Sequence, residues 1–171
     1  MTLDPADLHA LLLDLAGLSP AEIERLGRET YAAHYLLEGR PRRLPTHDGQ
    51  DVIFYPDRFE HAFFTSSDRA SHPERKDRIA LERIERILWI KEVIAGNVAG
   101  SACWEVSEQR GGRGERREYA ILSECYVVWL VARGDGGYRF ETAYPAMHQD
   151  LSRYARQGRR IWRSKIEKPR D

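Results

Sequence analysis

Three segments carry side chains able to move a proton and hold a phosphate: Arg58-Phe59-Glu60-His61-Ala62-Phe63-Phe64, the run from Arg83 to Lys91, and Phe140-Glu141-Thr142-Ala143-Tyr144-Pro145. An imidazole titrates near neutrality, cationic side chains stabilise a phosphorane, and hydroxyls orient its oxygens. That set suffices for metal-independent cleavage of RNA, so the expected site needs neither a metal ion nor a cofactor.

His61 is the central candidate, as general acid or general base; the competing reading is a half-buried helical histidine. Arg83 and Arg86 stand three apart on an expected helix and share a face suited to gripping a phosphate, with Glu82 and Glu85 as competing ion-pair partners. Lys91, nearer the end of that helix, is a second cation for substrate. On a regular strand Phe140, Thr142 and Tyr144 point to one side, which arrays two hydroxyls toward a phosphate and turns Glu141 away as a poor partner for His61.

These groups must be positioned by elements of two kinds. Residues 4 to 39 read as two helices: Leu8, Leu11, Leu12 and Leu15 repeat at helical spacing, and Ser19-Pro20-Ala21-Glu22 combines an N-cap, a first-turn proline and a Glu three residues on. Gly39 ends the second helix. Arg40 to Pro45 is proline-rich and reads as a linker, which puts a boundary near residue 44 and divides the chain into a helical segment, 1–44, and a main domain, 45–171.

Beyond the linker, Asp51 to Tyr55 is β-prone and Pro56 opens a short helix that carries His61. Thr65 to Pro73 reads as a loop and Asp77 to Ile94 as one amphipathic helix stopped by Gly96. The period then changes to that of strands at Ala102 to Val106, Arg117 to Leu122, Cys125 to Ala132 and Tyr138 to Tyr144, with turns at Gly111 to Gly114 and Arg133 to Gly137. Met147 to Arg163 reads as a closing basic helix. The predicted class is α+β: N-terminal helices, then a helix with a four-stranded antiparallel sheet, then a basic helix.

Composition narrows the partners. With 27 basic and 27 acidic residues the chain has no overall basic coat, so any nucleic-acid contact needs a local patch. Residues 151–171 supply one, with eight Lys or Arg against two Asp or Glu. Arg153 and Arg160 are candidates for backbone phosphates, and Trp162 for stacking on a base. Trp89 and Trp129 read as core. Cys103 and Cys125 have neither zinc spacing nor partners for a disulfide framework and read as core thiols. No apolar run approaches the ~20 residues that span a bilayer, so a cytoplasmic protein with no membrane partner is expected.

The element order, with His61-Ala62-Phe63, Arg83-Ile84-Glu85-Arg86-Ile87-Leu88-Trp89-Ile90-Lys91 and Glu141-Thr142-Ala143-Tyr144-Pro145, resembles the phage-type members of the barnase, EndoU, colicin and RelE-like (BECR) nuclease superfamily over residues 50–163. The resemblance implies a small ribonuclease, often a toxin or effector, that cuts by attack of the ribose 2′-hydroxyl and leaves a 2′,3′-cyclic phosphate. It matches His61 to the family's helical histidine, Arg83 or Arg86 to its helical arginine, and Thr142 with Tyr144 to its last-strand motif. An immunity protein or antitoxin is the partner it implies besides RNA. The rival reading is an accessory module of the same fold that binds RNA or protein without chemistry.

Overall fold

The structure, a computed structural model, describes residues 2–108, 116–123 and 125–165. Its longest helix follows directly from the sequence. At the start of α2 (Pro20–Tyr35), Ser19 Oγ accepts from the Glu22 amide at 3.3 Å and the Glu22 carboxylate accepts from the Ser19 amide at 2.7 Å. Ile23, Gly27, Tyr31 and Tyr35 then bury one stripe at helical spacing. The Tyr31 hydroxyl donates to the Tyr55 carbonyl at 2.8 Å and that of Tyr35 to the Ile87 carbonyl at 2.6 Å, so α2 is tied to two distant parts of the chain.

The other expected N-terminal helix shrinks to α1 (Pro5–His9), and α2 ends at Tyr35 rather than at Gly39. Glu38 and Gly39, both at positive φ, instead form the tight turn between β1 (Leu36–Leu37) and β2 (Arg40–Pro45). The stretch expected as a linker is therefore strand. It tolerates two prolines because each has a strand on one side only: Pro41 pairs with Leu36 of β1 and Pro45 with Asp51 of β3.

Strand β3 (Asp51–Phe54) leads into α3 (Arg58–Phe63), the short ribbon β4 (Phe64–Thr65) with β5 (Arg78–Ile79), then α4 (Leu81–Ile84) and α5 (Trp89–Ile94). A single helix was expected over 77–94. Two short ones form, because hydrogen bonds of the tighter i to i−3 kind, Ile87 to Ile84 and Trp89 to Arg86, break the α pattern between them. Gly96, at φ 69°, ends the second as expected.

Strands β6 (Ala102–Glu108), β7 (Arg116–Ser123), β8 (Tyr126–Ala132) and β9 (Tyr138–Pro145) form the expected antiparallel meander, although the glycine turn at 111–114 lies outside the described residues. The sheet is larger than four strands. Its order is β1-β2-β3-β9-β8-β7-β6-β10, antiparallel throughout except where β3 meets β9. The final strand β10 (Arg159–Arg163) corrects the expected basic helix: only α6 (His148–Gln157) is helical, and the chain then returns to pair with β6.

Each face of the sheet has its own core. Helices α2 to α5 cover one face, where Phe54 and Phe140 stack with ring centroids 4.9 Å apart amid Tyr31, Tyr35, Phe59 and Phe63. Helix α6 covers the other, over Val106, Ala120, Leu122 and Val127. Cys103 is buried as expected, whereas Cys125 is exposed. No helix among the described residues is long and apolar enough to cross a membrane.

The junction of β3 and β9 pairs only Val52 with Tyr138 and Ile53 with Arg139, so from Phe140 onward the outer edge of β9 is left to α3 and α4. Gly137 makes this junction possible: it sits at φ 69°, and a Cβ there would lie 2.7 Å from the Asp51 carbonyl oxygen. Replacing Gly137 by Ala is expected to cost more than about 1 kcal/mol in urea denaturation, since the backbone on both sides is fixed.

Candidate functional site

Strand β9 is irregular where the site forms. Opposite it, Trp129 pairs with Thr142 but Leu130 pairs with Phe140, so Glu141 is an extra residue, a β-bulge. The bulge turns the Glu141 carboxylate toward α3. There His61 Nε2 lies 3.3 Å and Arg58 Nη2 3.5 Å from Oε1, while Arg139 Nη2 lies 3.3 Å from Oε2. Arg58 and His61 reach it together because they stand three apart on α3. The expectation that Glu141 points away from His61 is thus corrected, and the strict alternation behind it fails at the bulge.

Exposure differs within this group. The Glu141 and Arg58 side chains are 15% and 16% exposed, that of His61 42%. The imidazole is therefore held on its Nε2 side by a recessed carboxylate. Among the described residues no hydrogen bond engages Nδ1, which leaves that nitrogen for a ligand.

A second set of cations joins through Arg58. Arg83 Nη1 donates to the carbonyl of Ala62, the residue after His61, at 2.9 Å, and its guanidinium lies 5.0 Å from the centre of the Tyr144 ring, which fixes it between α3 and β9. Burial lowers its pKa. Lys76, whose ammonium reaches the Phe64 carbonyl at 3.4 Å, has its pKa pushed down first by burial and then by the guanidinium groups of Arg83, Arg69 and Arg58. Among the described residues none of Arg69, Lys76 and Arg83 is in an ion pair with a carboxylate, and the buried Nε atoms of Arg58, Arg83 and Arg139 lack hydrogen-bond partners. Gathering like charges in this way opposes folding and favours an anion.

Of the remaining expected residues only Tyr144 touches this cluster, through its ring against Arg83. Thr142 Oγ1 is buried without a partner rather than presented to solvent. Tyr144 points to the α6 face, where its hydroxyl accepts from Trp129 Nε1 at 2.9 Å; burial is the main reason its pKa is pushed up to about 12. Regular alternation predicts that Phe140 shares their side; it does not, because the bulge puts Phe140 and Ala143 together in the core. Trp129 likewise lies on the α6 face, only partly buried.

Arg86 is committed locally, to the Glu85 carboxylate, the Glu82 carbonyl at 2.9 Å and the Trp89 ring. Lys91 Nζ sits 3.2 Å from His34 Nδ1, between α5 and α2. On α6, Arg153 is 3.4 Å from Asp150 and lies over Tyr154. Arg160 and Trp162 are on β10, four strands from β9 and so about 19 Å away at ordinary strand spacing. Trp162 is 9% exposed and packs 4.9 Å from the His47 ring, which removes it as a stacking platform.

His61 and Arg83 therefore come together, with Thr142 next to Glu141 on the strand; Arg86, Lys91, Arg153, Arg160 and Trp162 do not join them. Sequence reasoning missed Arg58, Arg69, Lys76, Arg139 and Glu141 as members. Only Arg58 carried a readable signal, its helical spacing from His61.

Because Lys76 is depressed in the folded chain, its charge costs stability below the folded pKa, and the cost fades as pH rises toward the pKa of an unfolded lysine. Lys76→Gln is expected to raise the urea midpoint at pH 7, with the gain shrinking through the alkaline lysine range. Compared with known proteins, the chain matches no family model, no curated protein and no solved structure.

Proposed function

We propose that this chain is a metal-independent endoribonuclease that cuts by attack of the ribose 2′-hydroxyl. The observation that carries the proposal is His61, held by Glu141 on one ring nitrogen and open on the other, with Arg58 on the same carboxylate and with Arg83 and Lys76 on the following carbonyls of Ala62 and Phe64. An acid-base group near cations, of which Arg83 and Lys76 have no carboxylate partner among the described residues, is what the transfer of a phosphoryl group requires.

In the proposed step, neutral His61 takes the proton of the 2′-hydroxyl through Nδ1 as the bond from O2′ to phosphorus forms. Glu141 stabilises the resulting imidazolium. Arg83, Lys76 and Arg58 draw the charge that builds on the non-bridging oxygens, the bond from phosphorus to O5′ breaks, and the leaving oxygen takes a proton from solvent. The products are a 2′,3′-cyclic phosphate and a free 5′-hydroxyl. Arg139 acts on Glu141 alone, as a positioning residue. A cytoplasmic effector or toxin, restrained by a cognate inhibitor protein, is the setting consistent with such an activity.

One observation favours the rival reading, an RNA- or protein-binding module without chemistry: Glu141 is paired with two guanidinium groups besides His61, as in a purely structural ion-pair network. Purified protein incubated with total RNA and EDTA separates the two. The enzyme is expected to yield fragments ending in cyclic phosphate, and His61→Ala to lower their rate by about 10²-fold or more with the fold intact. Retarded but uncut RNA would support the binder.

A further inference from the structure

A cleft of about 670 Å³ opens between the start of α2, the β4–β5 ribbon and α4. It lies within the size range of small-molecule sites, about 300 to 1,000 Å³. Leu18, Ile23, Ile79 and Leu81 give it aliphatic surface, of which Leu81 is 47% exposed. Arg69 and Arg83, members of the cation cluster, also line it.

The chemistry of the lining selects an occupant. Cations without carboxylate partners call for an anion, while the aliphatic surface calls for an apolar body attached to it. A bare phosphate would leave that surface wet. A fatty acid would leave the carboxylates of Asp77 and Glu82, which also line the cleft, facing hydrocarbon. Asp77 is already held by the Ser67 amide and hydroxyl, each at 2.8 Å, whereas the Glu82 carboxylate makes no hydrogen bond among the described residues and can accept from an exocyclic amine. A nucleotide meets all these demands: phosphate, flat apolar ring and polar ring edge.

We propose that this cleft is a nucleotide subsite that takes the RNA residue flanking the cut bond, its base against Ile79 and Leu81 and its phosphate on Arg83. The inference rests on the ribonuclease reading for its placement beside a cleaved bond, and it adds the side of His61 on which the RNA continues. Arg83 lines the cleft and also donates to the carbonyl of Ala62, the residue after His61, and so links the cleft to the proposed reacting phosphate.

The test is titration of the full chain with the four ribonucleoside 3′-monophosphates and with inorganic phosphate, by calorimetry, alongside RNA cleavage kinetics. Monophosphates are expected to bind at least about tenfold tighter than inorganic phosphate, and Leu81→Glu to remove that advantage and raise KM with kcat retained. Glu82→Gln is expected to erase any preference for bases bearing an exocyclic amine. If the native chain cuts RNA but binds monophosphates no better than phosphate, or if Leu81→Glu changes neither binding nor KM, the subsite is overturned and the nuclease stands. If nucleotides bind in a Leu81-dependent way but RNA is never cut, the subsite stands and the nuclease falls.

Discussion

One extra residue in β9 determines what the rest of the molecule can do. The bulge at Glu141 rotates a carboxylate off the sheet and into the space beside α3, at the point where β3 has stopped pairing and the strand edge lies open to helices. Without it, Glu141 would follow the alternation set by Tyr138 and Phe140 and turn away from α3, leaving the recessed Arg58 guanidinium without that counter-charge. The same half-turn sends Tyr144 to the opposite face and drops Ala143 into the core beside Phe140.

Around that carboxylate the balance of charge is uneven. Glu141 compensates Arg58, Arg139 and a protonated His61, but Lys76 and Arg83 bring further positive charge into partly desolvated space, with Arg69 beside them. A surface designed only for stability would scatter such groups or pair them. The aromatic core under the site, where Tyr31 meets Phe54, Phe59 and Phe63, gives α3 a rigid footing against this repulsion.

The elements legible in the sequence are those whose signals are local. The α2 cap is spelled out in Ser19, Pro20 and Glu22, and the meander from β6 to β9 in its β-branched and aromatic runs. What escaped depends on partners distant in sequence. Whether Tyr-Arg-Phe-Glu-Thr-Ala-Tyr-Pro alternates strictly or carries a bulge is decided by its register with β8, and Pro41 and Pro45 read as a linker until β3 is beside them. Another bulge, between Arg160 and Trp162, hides the alternation of β10 inside a basic tail. The site divided the same way: the helical pair Arg58 and His61 was within reach of spacing arguments, whereas Lys76, in a polar loop, became a member only when the chain closed around it.

The most direct measurement is a crystal structure of the chain with an RNA dinucleotide whose attacking hydroxyl is replaced by hydrogen, so that it binds but cannot react. The phosphate is expected within hydrogen-bonding reach of His61 Nδ1 and the Arg83 guanidinium, with Glu141 still against Nε2. A phosphate seated instead on the basic surface of α6 and β10, with His61 untouched, would contradict the central claim.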